Sequence, residues 1–431
     1  MGTQIGIIAD DFTGANDSGV RLAQKGLKSR VILTDSPEQT DPNNQAIDVW
    51  IVDTNSRSMN GEEAYQAVFK EIEGLKKRGV TAFYKKIDST LRGSVAAELK
   101  AMQDATALDV IFVAPAFPSM GRTVEGGKLY INGQLVTETE FAHDPKTPVL
   151  HDFLPDLLAM EGVGIAVLDR EILYGESPEK WVEEQLQAGV TWIVCDVTEE
   201  ADFPLLAALE AKLDFSIGWA GSAGMINHLY APMQHIDPKG SFDGPIGKVL
   251  VVSGSLSGKT QDQLAALEKR SATRMIEIDP LELLTAPARA LKRVDDLGQP
   301  ADWDSAALYV DGSQENRDKV SAWASANELT AHQTSKGISE GLGHLVEKAL
   351  AVSDFDAIIM TGGDTAKDIC AVLGIHDMEL LFEVEAGLPL GVAKWNKKDI
   401  VIITKAGGFG TTESISHSVD YLKGAGLHAN D

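Results

Sequence analysis

Two adjacent aspartates, Asp10 and Asp11, close a short apolar run at 5–9 and lead into Phe12-Thr13-Gly14-Ala15-Asn16-Asp17. Carboxylates placed side by side are costly unless they are solvated, hold a metal or face cations. One of them could cap the helix suggested by Val20, Leu22 and Ala23. A cap accounts for one carboxylate and leaves the other for chemistry: taking a proton, holding magnesium or clamping a ligand. Cations to face them recur in the same half. Lys85-Lys86-Ile87-Asp88-Ser89-Thr90-Leu91-Arg92 gathers three cations, an aspartate and two hydroxyls within eight residues. Arginine forks a carboxylate, lysine supplies a point charge, and aspartate accepts from sugar hydroxyls. Arg57 and Arg122 each follow another apolar run, at 49–54 and 110–115. Any one of these segments reads as a solvated loop; together they suit a pocket for a small hydroxylated acid.

The second half offers anion-binding turns instead of charged clusters. Val249–Val252 leads into Ser253-Gly254-Ser255-Leu256-Ser257-Gly258-Lys259-Thr260. A Walker loop needs four residues between its first glycine and its Gly-Lys pair, and Gly254 and Gly258 enclose three, so that motif is rejected. Gly258-Lys259-Thr260 is left without a role. Ala357–Met360 opens into Thr361-Gly362-Gly363-Asp364-Thr365, and a run at 400–404 ends in Lys405-Ala406-Gly407-Gly408-Phe409-Gly410. Small residues where a strand turns into a helix let backbone amides approach an anion at the positive end of the helix dipole. One such turn is commonplace, whereas three after three apolar strands point to a nucleotide.

The elements that must position these residues are strands and helices in alternation. Uninterrupted apolar runs at 5–9, 49–54, 110–115 and 192–197, and again after 248, imply sheets covered by helices on both faces. Between them Tyr65, Val68, Ile72 and Leu75 form the stripe of a helix ending near Gly79. The Pro- and Gly-rich segment 237–246 reads as a linker. It separates a domain at 1–236 from one at 247–431, each an α/β fold with a largely parallel sheet, and the active site is expected in the cleft between them.

Composition narrows the function. Apolar residues make up 44% and charged residues 24% of 431, which suits two packed cores. A net charge of −26 disfavours nucleic acid and anionic membrane as partners. Two cysteines, Cys195 and Cys370, offer neither a disulfide framework nor a zinc site, and no run approaches a membrane span, so a cytoplasmic location is expected. The nine histidines show no HExxH spacing and accompany no GxSxG elbow.

IADDFTGANDSG, YKKIDSTLRG, VAPAFPSMGRT, NGQLVTETEFAHDPKTPV, VVSGS, TGGDTA and KAGGFG, in this order from residue 5 to about 412, resemble the four-carbon acid sugar kinase family, particularly its D-threonate 4-kinase branch. The resemblance implies an N-terminal sugar-acid domain, a C-terminal ATP domain, and phosphorylation of the terminal (C4) hydroxyl of a tetronate. D-threonate is the implied substrate, with D-erythronate and 3-oxo-tetronate as alternatives. It places substrate contacts on Asp11, Arg57 and Lys85–Asp88. ATP contacts fall on Ser255, on Gly362–Thr365 and on Gly408 with its neighbours Gly407, Phe409 and Gly410, and the loop reading adds Ser253 and Gly254. Magnesium is expected with ATP, no metal ligand is assigned, and a homodimer is compatible. In this reading Asp10 and Asp11 are catalytic, while Arg57, Arg92, Arg122 and the Lys85-Lys86 pair hold the acid. The rival readings are a magnesium-dependent sugar-acid lyase and a non-catalytic sensor of sugar acid and nucleotide.

Overall fold

The computed structural model describes residues 4–33, 47–144, 147–230, 246–299 and 302–424. Contacts divide them into two compact units, residues 4–31 with 47–230, and residues 32–33 with 246–299 and 302–424. The expected linker at 237–246 lies outside the described residues except for Ile246, which packs into the core of the second unit.

In the first unit the strands are β1 (Ile5–Ala9), β2 (Ser29–Ile32), β3 (Val49–Asp53), β4 (Ala82–Lys86) and β5 (Val110–Ala114). They are followed by β6 (Arg122–Glu125), β7 (Lys128–Ile131) and β8 (Gln134–Leu135), which form a small antiparallel sheet, and by β9 (Gly164–Leu168), β10 (Val190–Cys195) and β11 (Ile217–Gly221). The main sheet runs β2-β3-β1-β4-β11-β5-β10-β9, parallel from β3 to β9. Every residue of β1, β3 and β5 is buried, as strands sandwiched between helices must be. Register aligns their ends: Ala9 lies opposite Asp53 and Lys86, and Lys86 lies opposite Gly221. Whatever follows these residues therefore emerges along one sheet edge.

Helices Phe12–Gln24, Gly61–Lys77 and Val95–Thr106 connect these strands. The second is started by a reciprocal cap between Asn60 and Glu63 and buries Ala64, Val68, Ile72 and Leu75. Spacings of four and three put those side chains on one stripe.

The second unit holds β12 (Val249–Ser253), β13 (Thr273–Ile278), β14 (Ser305–Val310), β15 (Ala357–Thr361), β16 (Asp377–Glu385), β17 (Leu388–Trp395) and β18 (Lys398–Lys405), ordered β13-β14-β12-β15-β18-β17-β16. The first five in that order are parallel; β17 runs antiparallel to both of its neighbours. Ser253, Thr361 and Lys405 stand in one line across β12, β15 and β18. Helices Gly258–Glu268 and Gly363–Leu373 start directly after that line. The β16–β17 hairpin escaped a search for unbroken apolar runs because β16 buries alternate residues, the pattern of a strand with one wet face.

Candidate functional site

β1 delivers Asp10 and Asp11 to the sheet edge, and the two have different jobs. Asp11 takes an extended backbone and caps helix Phe12–Gln24, its Oδ1 accepting the Gly14 amide at 2.9 Å. Asp10 sits beneath it, 2% exposed. The chain leaving β3 is tied to β1 by Thr54, whose hydroxyl donates to the Ala9 carbonyl at 2.8 Å. That tie brings Arg57 across the aspartates: Nε donates to Asp10 Oδ2 at 2.7 Å and Nη1 to Asp11 Oδ2 at 2.9 Å. Nη2 lies 3.9 Å from Asp88 Oδ1. The arginine expected to hold substrate thus first holds the aspartate pair together.

β4 contributes both lysines, with different surroundings. Lys85 is fully buried and ion-paired with Glu98 of helix Val95–Thr106 at 3.0 Å, while Glu98 also accepts from the Ser56 hydroxyl. Lys86 Nζ donates to the Ile87 carbonyl at 2.9 Å and, among the described residues, has no carboxylate within ion-pairing distance. Ile87 takes part through its backbone alone, its amide donating to Gly221. Asp88 accepts Arg92 Nε at 2.7 Å and the Thr90 hydroxyl, and Arg92 also reaches Asp144 at 3.3 Å and lies over the Phe141 ring. A cleft of about 470 Å³ beside this network is lined by Arg57, Met59, Leu91, Ser94, Val149 and His151, among others.

Burial alone would raise the pKa of all these carboxyls, and their neighbours decide the outcome. For Asp10 the burial penalty is outweighed by Arg57, Lys85 and Lys86, which hold its carboxyl below the usual range. Asp11 goes the other way, since burial and the adjacent Asp10 charge outweigh Arg57 and Lys86. Asp88 is buried too, but Arg57 and Arg92 hold it well below an ordinary aspartate. Adjacent carboxylates with opposed shifts are the arrangement in which one stays ionised and the other can exchange a proton. Asp10 Oδ1 is buried without a hydrogen-bond partner.

In the second unit the three glycine-rich turns come together at the ends of β12, β15 and β18. A methyl group on Gly254 would lie 2.7 Å from Thr365 Oγ1, and one on Gly407 would lie 2.5 Å from Ser255 Oγ. Glycine at these positions lets the turns touch. Gly362, at φ +96°, takes the chain from β15 into helix Gly363–Leu373, in whose first turn Asp364 and Thr365 sit. Gly408 and Gly410 belong to the third turn, and Phe409 between them is 41% exposed. Gly258-Lys259-Thr260 acquires a place here. It is the first turn of helix Gly258–Glu268, capped by Ser257, and both Ser257 and Thr260 donate to the Gly407 carbonyl, at 2.6 and 2.9 Å.

Several of these participants were not apparent as site residues in the sequence. Glu98 looks like an ordinary acidic residue in a helix's first turn, and Lys405 looks like the end of a strand. A cation closing the largely apolar run at 400–404 was the one available signal for the latter. Arg122 begins β6 and donates to the Met120 carbonyl; the described contacts give it no bond to the aspartate network. No group of three or more His, Cys, Asp or Glu suited to a metal ion occurs among the described residues. None of the helices there is long and apolar enough to cross a membrane.

Comparison with known proteins gives the two units separate characters. Residues 5–229 match the model of a sugar-binding N-terminal domain, and residues 250–415 that of a nucleotide-binding C-terminal domain. The D-threonate kinase of Bordetella bronchiseptica is 31% identical, over 98% of each chain. That of Salmonella typhimurium is 29% identical, over 97% of this chain and 98% of that one. The D-erythronate kinase of Heliobacterium modesticaldum is 30% identical over 96% of each. Two solved structures share the fold: a Salmonella typhimurium LT2 protein with a TM-score of 0.78 at 22% identity, and Haemophilus influenzae HI1011 with 0.74 at 24%. Each alignment covers 96% of this chain and 98% of the other. The chain belongs to the four-carbon acid sugar kinase family.

Proposed function

We propose that the protein transfers the γ-phosphoryl group of ATP to the C4 hydroxyl of a four-carbon sugar acid, with D-threonate as the preferred acceptor. The observation that carries this reading is the aligned strand edge of the first unit. There Asp10, Asp11, Arg57, Lys86, Asp88 and Arg92 gather within a domain matched to sugar binding. Full-length similarity to D-threonate kinases selects the acceptor.

Lys85 is committed to Glu98 and Arg92 to Asp88 and Asp144, so the carboxylate of the acid falls to Lys86, and Asp88 accepts from the hydroxyls. Asp11 takes the C4 hydroxyl proton as the oxygen–phosphorus bond forms and the bond to the β-phosphate breaks. The Ser253–Ser255, Gly362–Thr365 and Gly407–Gly410 turns hold the triphosphate. Magnesium enters with ATP, neutralising phosphate charge; with no three-ligand cluster among the described residues, no step is assigned to a protein-held ion.

The test is ADP release and consumption of the acid, followed on purified protein with D-threonate, D-erythronate and 3-oxo-tetronate, each with and without ATP. The proposal expects ATP-dependent turnover with kcat/KM highest for D-threonate. Turnover without ATP would establish the lyase reading. Binding of both ligands with no ADP would establish the sensor.

A further inference from the structure

Lys405 closes β18, is 2% exposed, and points its ammonium into the turn that follows it. Nζ donates to the carbonyls of Ala406 at 2.8 Å, Phe409 at 3.1 Å and Gly407 at 3.2 Å, with Thr260 Oγ1 at 3.5 Å. An ammonium has three donors and no acceptor, so these contacts consume it. It is therefore not available as the phosphate-gripping lysine that its place at a glycine-rich turn would suggest.

We propose that Lys405 is a positioning residue. By drawing the carbonyls of residues 406, 407 and 409 inward, it turns the amides of Gly407, Gly408 and Gly410 outward as a nest for nucleotide phosphate oxygens. The inference rests on the nucleotide-dependent reading above and adds the residue that shapes the site. In a trans peptide the carbonyl and the next amide point in opposite directions, and no cis bond occurs among the described residues. Three carbonyls converging on one ammonium thus fix three amides facing away from it. The described hydrogen bonds give none of those three amides an acceptor, whereas the Phe409 amide is used internally, donating to Ala406 at 3.1 Å. Ser257 and Thr260 hold the Gly407 carbonyl in the same inward sense. The turn is open at Gly408, where a side chain would meet nothing within 4 Å. Successive outward amides form the kind of concavity that takes phosphate.

Burial makes this ammonium easier to deprotonate, and of the charged groups that face it Lys259 adds to the effect while Glu385 opposes it. The result is a value of about 8. That supplies a readout that loss of packing alone would not reproduce. ADP affinity is measured by calorimetry on the full chain between pH 7 and 9, where the phosphates are already ionised. Wild type is expected to bind ADP more weakly as pH rises through about 8. Lys405→Met should raise Kd about 10- to 100-fold at pH 7, the worth of charge-assisted hydrogen bonds, and lose the pH limb. Its KM for D-threonate should stay within about twofold, since only nucleotide binding is uncoupled. Thr260→Val, which removes one hold on Gly407, should weaken ADP in the same direction but less. Should Lys405→Met not fold, the wild-type pH limb and Thr260→Val decide. A flat wild-type profile, or ADP affinity unchanged in either variant, overturns the proposal. Failure of wild type to bind ADP at all would instead overturn the nucleotide-dependent reading.

Discussion

Lys86→Met is the sharpest test of the acceptor site, because the structure separates Lys86 from the other cations of its network. Arg57 is spent on Asp10 and Asp11, Lys85 on Glu98, and Arg92 on Asp88 and Asp144, while Lys86 has only the Ile87 carbonyl. A charge-assisted hydrogen bond from such a group to a substrate carboxylate contributes about 1.5–3 kcal/mol, or roughly 10- to 100-fold in affinity. Lys86 already interacts with Asp10 and Asp11, which offsets part of that, so the lower half of the range is expected: a KM for D-threonate raised about 10- to 30-fold. Stability should fall, since Lys86 is 6% exposed and its charge offsets those of the buried Asp10 and Asp11. A second effect follows from the same charge. Lys86 lowers the Asp11 carboxyl, so without it that carboxyl climbs further and the acid limb of kcat moves to higher pH. The assay is ADP release against D-threonate at saturating ATP, then against ATP at saturating acid, with a thermal melt alongside. A KM for the acid within threefold of wild type, or an equal rise in KM for ATP, would refute the assignment.

Three further perturbations probe the same network. Asp11→Asn keeps a competent helix cap but turns an amide donor toward Arg57, so a modest drop in the melt should accompany a fall in kcat of about 100-fold or more and the loss of its acid limb; full turnover would remove Asp11 as the base. Glu98→Gln leaves the buried Lys85 unpaired and should destabilise by about 3–5 kcal/mol in denaturant melts, with the double change Lys85→Met, Glu98→Leu recovering much of the loss. Gly14→Ala would place a methyl 2.7 Å from Asp11 Oδ1 and 2.8 Å from Lys86 Nζ. It should raise KM for the acid several-fold despite alanine's better helix propensity, and unchanged kinetics would show that both side chains yield freely.

The parallel strands and their ends were legible because a strand buried on both faces must be apolar throughout, and whatever follows it is exposed at the edge. Asp10, Asp11 and Arg57 could therefore be placed together from their positions after β1 and β3. The difference between Lys85 and Lys86 could not. Successive residues of a strand point to opposite faces, but only the packed helices reveal that one face offers Glu98 and the other the first turn at Gly14. The inward carbonyls around Lys405 were equally hidden, because a glycine-rich string states which conformations are allowed and not which one a neighbouring ammonium selects.

The double engagement of Asp11, with the Gly14 amide on one oxygen and Arg57 on the other, makes local folding and site assembly a single event. The first turn of helix Phe12–Gln24 cannot fray while the aspartate pair stays clasped, and the clasp cannot open without freeing that turn. The Gly14 amide would thus serve as a spectroscopic witness to the proposed acceptor site. Its hydrogen exchange would slow when an acid occupies the pocket, and would do so with no turnover taking place.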